Sequence, residues 1–557
     1  MIRTFLILIM AMAGIYGNAA ERSVQTLKDI AVKILHHSSY RANAIDGNDS
    51  LELLYDCDGI AVIGRNGAGF AVLAKDDAFE PILGYSDGCF NKDDINPNMK
   101  WWMECTAKAM AAGITKQSNT IPDGLPQEVE SFIMTHWSQG APYNILCPSY
   151  VSNGNSKQYP TGCVATAMAQ CMYHFKYPEH GTTTRLYRFN PGDGVEQTVK
   201  VVLDDIIFDW NNMLDVYKTN AYDDVQAKAV AELMMACGAS VEMEYTVSGS
   251  GAQMADAAKA LRLYFGYDRG LPFYLRWGVC EAEFNDAIYR NLAVKKPILF
   301  GGVSGKGGHA FVLDGYDTEG NVHVNWGWGQ NKGDGYFNIA LMNGYEEQQA
   351  VVPISNDGTY ATPKSMICIY QGGLSVDKVD DTHIKVSTNS ARLINFGCET
   401  YNGNIYVVAM NTETGESKAI ATENITGPVA VNYYIGSNGI NKSYITIKNK
   451  IGDGKYRIFL ASKDENEDDY SPVRCREEYT NSYFITVTDG KITEVTADNN
   501  PAWMTSTPTG IKGVTTDKNT LFPSSIYSLD GRKVTSASSS KVVIMKRGDD
   551  LRKVIMR

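Results

Sequence analysis

Cys163 follows Gly162 directly and heads a run, Val164 to Tyr177, that contains neither glycine nor proline. Good helix formers fill the run, so the pattern predicts a helix roughly four turns long with the cysteine at or near its N-terminus. Unpaired N–H groups and the positive end of the macrodipole gather there and favour thiolate over thiol. A cysteine so placed can act as a nucleophile once a base stands beside it, whereas a lone one is more often a small buried hydrophobe. What tips the balance lies downstream. His309 heads an apolar strand-like run, Gly308-His309-Ala310-Phe311-Val312-Leu313, and Asn325 ends a second, Val322-His323-Val324-Asn325. The histidine stands 146 residues after the cysteine and the asparagine 16 further on.

Cysteine, histidine and asparagine in this order and separation match papain-like proteases. Thr161-Gly162-Cys163-Val164-Ala165-Thr166-Ala167, Gly308-His309-Ala310-Phe311 and Asn325-Trp326-Gly327-Trp328-Gly329 together resemble the streptopain family of secreted bacterial cysteine peptidases, over about residues 21–375. The resemblance implies an α+β papain-like domain behind an inhibitory pro-domain. It assigns Cys163 as nucleophile, His309 as base and Asn325 as the residue that fixes the imidazole, with Trp326 shielding that bond from water. It also makes Gln139, in Trp137-Ser138-Gln139-Gly140, the oxyanion donor beside the Cys163 N–H, although Gln139 reads equally well as a surface residue. Trp328 is expected in the core. Two departures bear on specificity or its surroundings: Gln330 follows Gly329 where the family often has a small residue, and Leu341-Met342-Asn343-Gly344-Tyr345-Glu346 is not glycine-rich.

The elements that must position these groups fall into blocks. Met1–Ala20 reads as a signal peptide: Arg3 is the charged end, Thr4–Ile15 the apolar stretch, and Gly17–Ala20 the small residues for cleavage. The apolar run is too short for a membrane span of roughly 20 residues, and no later stretch qualifies. Residues 21–118 form the expected pro-domain, a separate small α+β unit. It has a helix through Leu27, Ile30 and Ile34 capped by Ser23 or Thr26, a hairpin of Gly59–Gly64 and Gly69–Ala74, a strand at Pro81–Ser86, and a helix over Asn98–Ala112 carrying Trp101 and Trp102. The polar loop from Gly113 to Pro126 suits a maturation cut. The catalytic domain is placed at 119–375. Within it Ala231–Gly238 reads as a helix end closing on glycine, and Ser248-Gly249-Ser250-Gly251-Ala252 as a loop beside the cleft by resemblance, or a plain connector. Short alternating strands from about 376 to 500 predict a β-sandwich. The tail 510–557 resembles C-terminal sorting modules, and reads equally as a simple β appendage.

Composition narrows the function. With 557 residues the chain is too long for one core; 44% hydrophobic and 20% charged residues describe a globular protein, and a net charge of −12 argues against nucleic acid. None of the eleven cysteines forms a Cys-x-x-Cys pair, so the sequence carries no such signature of a structural zinc site, and no disulfide pairing can be assigned. His36, His37, His136 and His383 lack partners at ligand spacing, His174 and His180 fall at the end of the Cys163 helix more than two turns from the thiol, and His323 alternates with Val322 and Val324 on a strand, so all seven read as non-catalytic. No metal or cofactor is expected. The resulting expectation is an exported or cell-surface cysteine endopeptidase, made as a zymogen and acting on proteins or peptides, its own pro-domain the intramolecular inhibitor. A thiol-dependent deamidase or acyl transferase, or a surface binding protein, are the alternatives.

Overall fold

The computed structural model of the chain describes residues 20–37 and 51–504, apart from 66, 114–119, 193–194, 305–306, 341–348, 389–391, 426, 436–440, 449 and 468, together with four strands between 525 and 555. The expected signal peptide lies outside the described residues except for Ala20, as do the middle of the maturation loop and the segment 341–346.

In the N-terminal block, α1 (Val24–His37) starts on Ser23, whose Oγ accepts the Thr26 N–H at 3.1 Å. Four strands follow: β1 (Glu52–Cys57), β2 (Ile60–Gly64), β3 (Phe70–Ala74) and β4 (Ile82–Ser86). Strand β1 has no clean alternation and escaped the sequence reading. Then comes α2 (Pro97–Ala111), with Asn96 as its cap, accepting from Met99 N at 2.7 Å, and a proline at the first position.

Two hairpins, β5 (Ser149–Ser152) with β6 (Asn155–Gln158) and β7 (Thr184–Phe189) with β8 (Gln197–Val202), flank α3 (Cys163–Phe175). Next come α4 (Asp224–Ser240), α5 (Met254–Tyr264), β9 (Tyr274–Leu275) and α6 (Glu281–Leu292). Helix α4 runs through Gly238 rather than ending there. A Cβ on Gly238 would come within 2.4 Å of the Tyr245 hydroxyl, so the glycine serves close packing and not a helix stop. Strands β10 (Ile298–Ser304), β11 (Gly307–Tyr316), β12 (Val322–Asn325), β13 (Gly335–Phe337) and β14 (Ala350–Pro353) complete the region.

The N-terminal block is not a separate unit. One antiparallel sheet runs β1-β2-β3-β4-β13-β12-β11-β10-β14-β9, and its joint is β4 against β13, pairing Tyr85 with Tyr336 and Gly84 with Phe337. The hydrophobic core is continuous across that joint: Trp102 of α2 lies edge-on to Phe337 at 4.9 Å and donates its indole N–H to the Asn338 carbonyl at 3.0 Å.

The C-terminal region is built on antiparallel sheets. Its strands β15 (Ile367–Gln371), β16 (Ser375–Lys378), β17 (His383–Ser387), β18 (Arg392–Asn395), β19 (Gly403–Asn411), β20 (Ser417–Asn424), β21 (Tyr434–Ile435), β22 (Asn441–Thr446), β23 (Gly454–Asp464), β24 (Ser471–Pro472), β25 (Ser482–Thr488) and β26 (Lys491–Asp498) form three sheets. Strand β15 pairs with β18, so sheet pairing crosses the boundary expected at 375–376. Residues 511–557 form a second unit whose described strands make a four-stranded sheet. Among the described residues no helix is long and apolar enough to cross a membrane.

Candidate active site

Cys163 is the first residue of α3, as the sequence predicts. Gly162 before it has φ +88°, and a Cβ there would lie 2.7 Å from Met243 Sδ and 2.9 Å from the Ser250 carbonyl, so both backbone geometry and space require glycine. The half-buried thiol opens on a cleft of about 770 Å³ that His309 also lines. Burial pushes the thiol above its ordinary value, while backbone N–H groups of Ala310, Val164 and Cys163 itself pull it down and only partly offset that effect. Burial likewise lowers His309 below its ordinary value, with Glu104 opposing. In this state cysteine and histidine are both held neutral, and no hydrogen bond joins the His309 ring to Cys163 among the described residues.

A residue of α2 is what His309 does meet. The Trp101 ring, 4% exposed, packs 5.6 Å from the imidazole, and a Cβ on Gly302 across from it would lie 2.8 Å from the Trp101 ring. One turn back, Asn98 is fully buried and donates through Nδ2 to the carbonyls of Ala310 at 3.1 Å and Trp326 at 2.8 Å. Helix α2 is thus wedged between the strand that carries His309 and the turn after β12.

Two expected roles are not seen. Asn325 does not reach His309: its Nδ2 donates to the Thr135 carbonyl at 2.6 Å, and its Oδ1 accepts from Gln170 Nε2 at 3.2 Å and Gly327 N at 3.1 Å. Trp326 does not cover an Asn–His bond. It is core, 1% exposed, edge-on to Phe311 and donating to the Gly333 carbonyl. Trp328, expected in the core, is only half-buried. Gln139 is 8% exposed rather than on the surface, and its carbonyl accepts the Thr161 N–H at 3.1 Å, which sets it beside the segment that ends in Cys163. Gly251, Ala252 and Gln253 line the cleft, as the loop reading expects.

Sequence reasoning missed Gln170. It lies two turns along α3 from Cys163, hence on the same face, and accepts from Thr135 Oγ1 at 2.8 Å and Trp137 N at 3.4 Å while binding Asn325. Gln170 is the one side-chain amide in α3, and that was the available signal.

Of the other histidines, His174 is at the end of α3 while His180 lies beyond it, bridged to Ile207. His323 pairs with fully buried Asp314, Nδ1 to Oδ1 at 2.5 Å, and the other carboxylate oxygen accepts the N–H groups of Phe132 and Ile133. Burial alone would lower His323, but the Asp314 charge and hydrogen bond, helped by Asp334 and Asp87, leave it raised. A raised folded value means that the pair's stabilisation is complete below the unfolded value of about 6.5 and is lost as pH climbs through the folded one. His323→Gln is therefore expected to cost about 3 kcal/mol near pH 6, because it strands a buried carboxylate, and less as pH rises toward 9. Urea midpoints of both proteins across that range check the sign. All eleven cysteines are free thiols. Among the described residues no group of three or more His, Cys, Asp or Glu could hold a metal.

Residues 137–337 match the Peptidase C10 family. The chain is 27% identical over 441 residues to the thiol protease/hemagglutinin PrtT of Porphyromonas gingivalis, covering 73% of this chain and 48% of that protein, so it spans about half the length of that relative. It is 31% identical over 292 residues to streptopain of Streptococcus pyogenes, covering 49% of this chain and 72% of streptopain. Among solved structures, a fragment of Prevotella intermedia prointerpain A matches at TM-score 0.50 and 34% identity, over 54% of this chain and 97% of the fragment.

Proposed function

The chain belongs to the Peptidase C10 family, and from that premise we propose that it is an exported cysteine endopeptidase, made as a zymogen, that hydrolyses peptide bonds of protein substrates. The observation that carries this reading is the shared cleft of Cys163, on a helix N-terminus, and His309, on a neighbouring strand. Cys163 Sγ attacks the substrate carbonyl carbon while His309 takes the thiol proton. The imidazolium then protonates the leaving amine, and water opens the thioester. Degradation of casein by the 21–557 protein under reducing conditions, stopped by thiol alkylation, tests the reading; casein left intact with the N-terminal block removed overturns it.

The Cys163 N–H and the Gln139 side chain hold the oxyanion. Gln139→Ala is expected to lower kcat about 100- to 1000-fold with little change in KM, as loss of one oxyanion donor does. A loss below about tenfold on a peptide amide would take Gln139 out of that role.

Residues 21–118 act as the inhibitory pro-domain. What supports this is the α2 wedge, whose Trp101 packs on the His309 ring and whose Asn98 binds the carbonyls of Ala310 and Trp326. The catalytic region spans 119–375 in this reading, 376–500 is a β-sandwich, and 510–557 is a sorting module. Maturation cuts the loop between Gly113 and Pro126. Sequencing the N-terminus of the processed enzyme is expected to place the new terminus inside that loop, and a start well outside it removes the assignment.

A further inference from the structure

The cleft has a wall that the catalytic region does not supply. Two loops of the C-terminal β region, Cys398–Thr400 and Val431–Asn432, border the same cleft as Cys163 and His309. Glu399, Thr400 and Asn432 are solvent-exposed there, while the residues behind them are not. Asn395, 2% exposed, ties the loops together. Its Nδ2 donates to the carbonyls of Glu399 at 2.8 Å and Val429 at 3.0 Å, its Oδ1 accepts Gly397 N at 3.0 Å, and its own carbonyl accepts Asn432 N at 2.8 Å.

Arg262 of α5 fixes the first loop to the catalytic region. Its Nη1 donates to Cys398 Sγ at 2.8 Å, its Nη2 meets the Glu399 carboxylate at 3.0 Å, and its Nε donates to the Arg269 carbonyl at 2.7 Å. Deeper in the same joint Arg474 donates to Glu283 at 3.0 Å, both side chains being at least nine-tenths buried. A buried ion pair held by arginine's planar fork fixes orientation well, so the wall is not free to swing. No described residue before Cys163 lines the cleft, so the wall does not depend on the N-terminal block.

We propose that this wall is part of the substrate-binding surface: an extended polypeptide runs from the scissile bond along Gly251–Gln253 and beneath Thr400 and Asn432, and the β region selects which chains can lie there. The proposal rests on the peptidase reading. An extended chain advances about 3.3 Å per residue, so a longer substrate covers more of the cleft and its wall than a single-residue amide does.

The test compares the processed full chain with its Thr400→Trp variant on casein and on a short amide substrate. Thr400 is exposed, so the variant is expected to fold, and the alkylation rate of Cys163, read on its own peptide by mass spectrometry, reports an intact site. The expected result is a fall of about tenfold or more in kcat/KM on casein, carried by KM, with the short amide changed less than about twofold. Equal losses on both substrates, or no loss on casein, overturn the wall. Wild type inactive on both overturns the peptidase reading instead, and the wall with it.

Discussion

Replacing Cys163 with alanine is expected to abolish casein hydrolysis, with turnover falling about 10,000-fold or more, because it removes the sulfur that forms the thioester. The same variant is expected to keep its N-terminal block on prolonged incubation, whereas the wild type sheds it. Cys398 is the competing candidate, since it also lines the cleft. Burial raises that thiol, however, and Arg262 occupies it as a hydrogen-bond donor without providing a base. Cys398→Ala is accordingly expected to leave activity on a short amide within a few-fold. Hydrolysis that survived in Cys163→Ala and vanished in Cys398→Ala would move the nucleophile to the β region. The shifts at Cys163 and His309 also predict the form of the activated enzyme. In the docked state a raised thiol and a lowered imidazole keep the proton on sulfur. Bringing the ring to the sulfur replaces each group's uncompensated burial by an opposite charge, which favours the ion pair.

What the sequence displayed well were features encoded by neighbours in the chain. Gly162-Cys163 ahead of an unbroken helical run located the start of that helix to the residue. The apolar runs after His309 and before Asn325 located both strands, and the Asn-Gly signal located the β2–β3 hairpin. What it hid were choices made between distant segments. Asn325 carries one amide that can serve a histidine or a buried network, and Gln170, 155 residues earlier, decides for the network. Tyr85 reads as an ordinary strand residue until β13 pairs with it, so the N-terminal block was expected as a separate unit although its sheet is shared. Gly238 looks like a helix stop because its local chemistry allows one; Tyr245 supplies the reason it is not. The wall of the cleft was illegible for the same reason, since Arg262 and Glu399 are 137 residues apart.

Trp101→Ala, made in the unprocessed chain, is expected to release latency without any cut. The ring is nearly fully buried against His309, Phe311 and the backbone at Gly302, and deleting a buried tryptophan typically costs about 3–5 kcal/mol. Part of that cost falls on the docked state of α2 and not on the catalytic region, whose own helix α3 and strands β10 and β11 keep their packing. If half of it does, the docked population shifts by about tenfold or more, at about 1.4 kcal/mol per decade. Activity of the intact chain on a short amide should rise by that factor, and Cys163 should alkylate faster in parallel. Asn98 stays in place in this variant, and its two hydrogen bonds to the Ala310 and Trp326 carbonyls still hold α2, so release is expected to be partial. Adding Asn98→Ala removes the remaining donors at that point, and the double variant should approach the activity of the processed enzyme. A chain that stays inactive in both variants while still melting cooperatively would show that α2 is structural packing, and latency would have to reside in another contact of the N-terminal block.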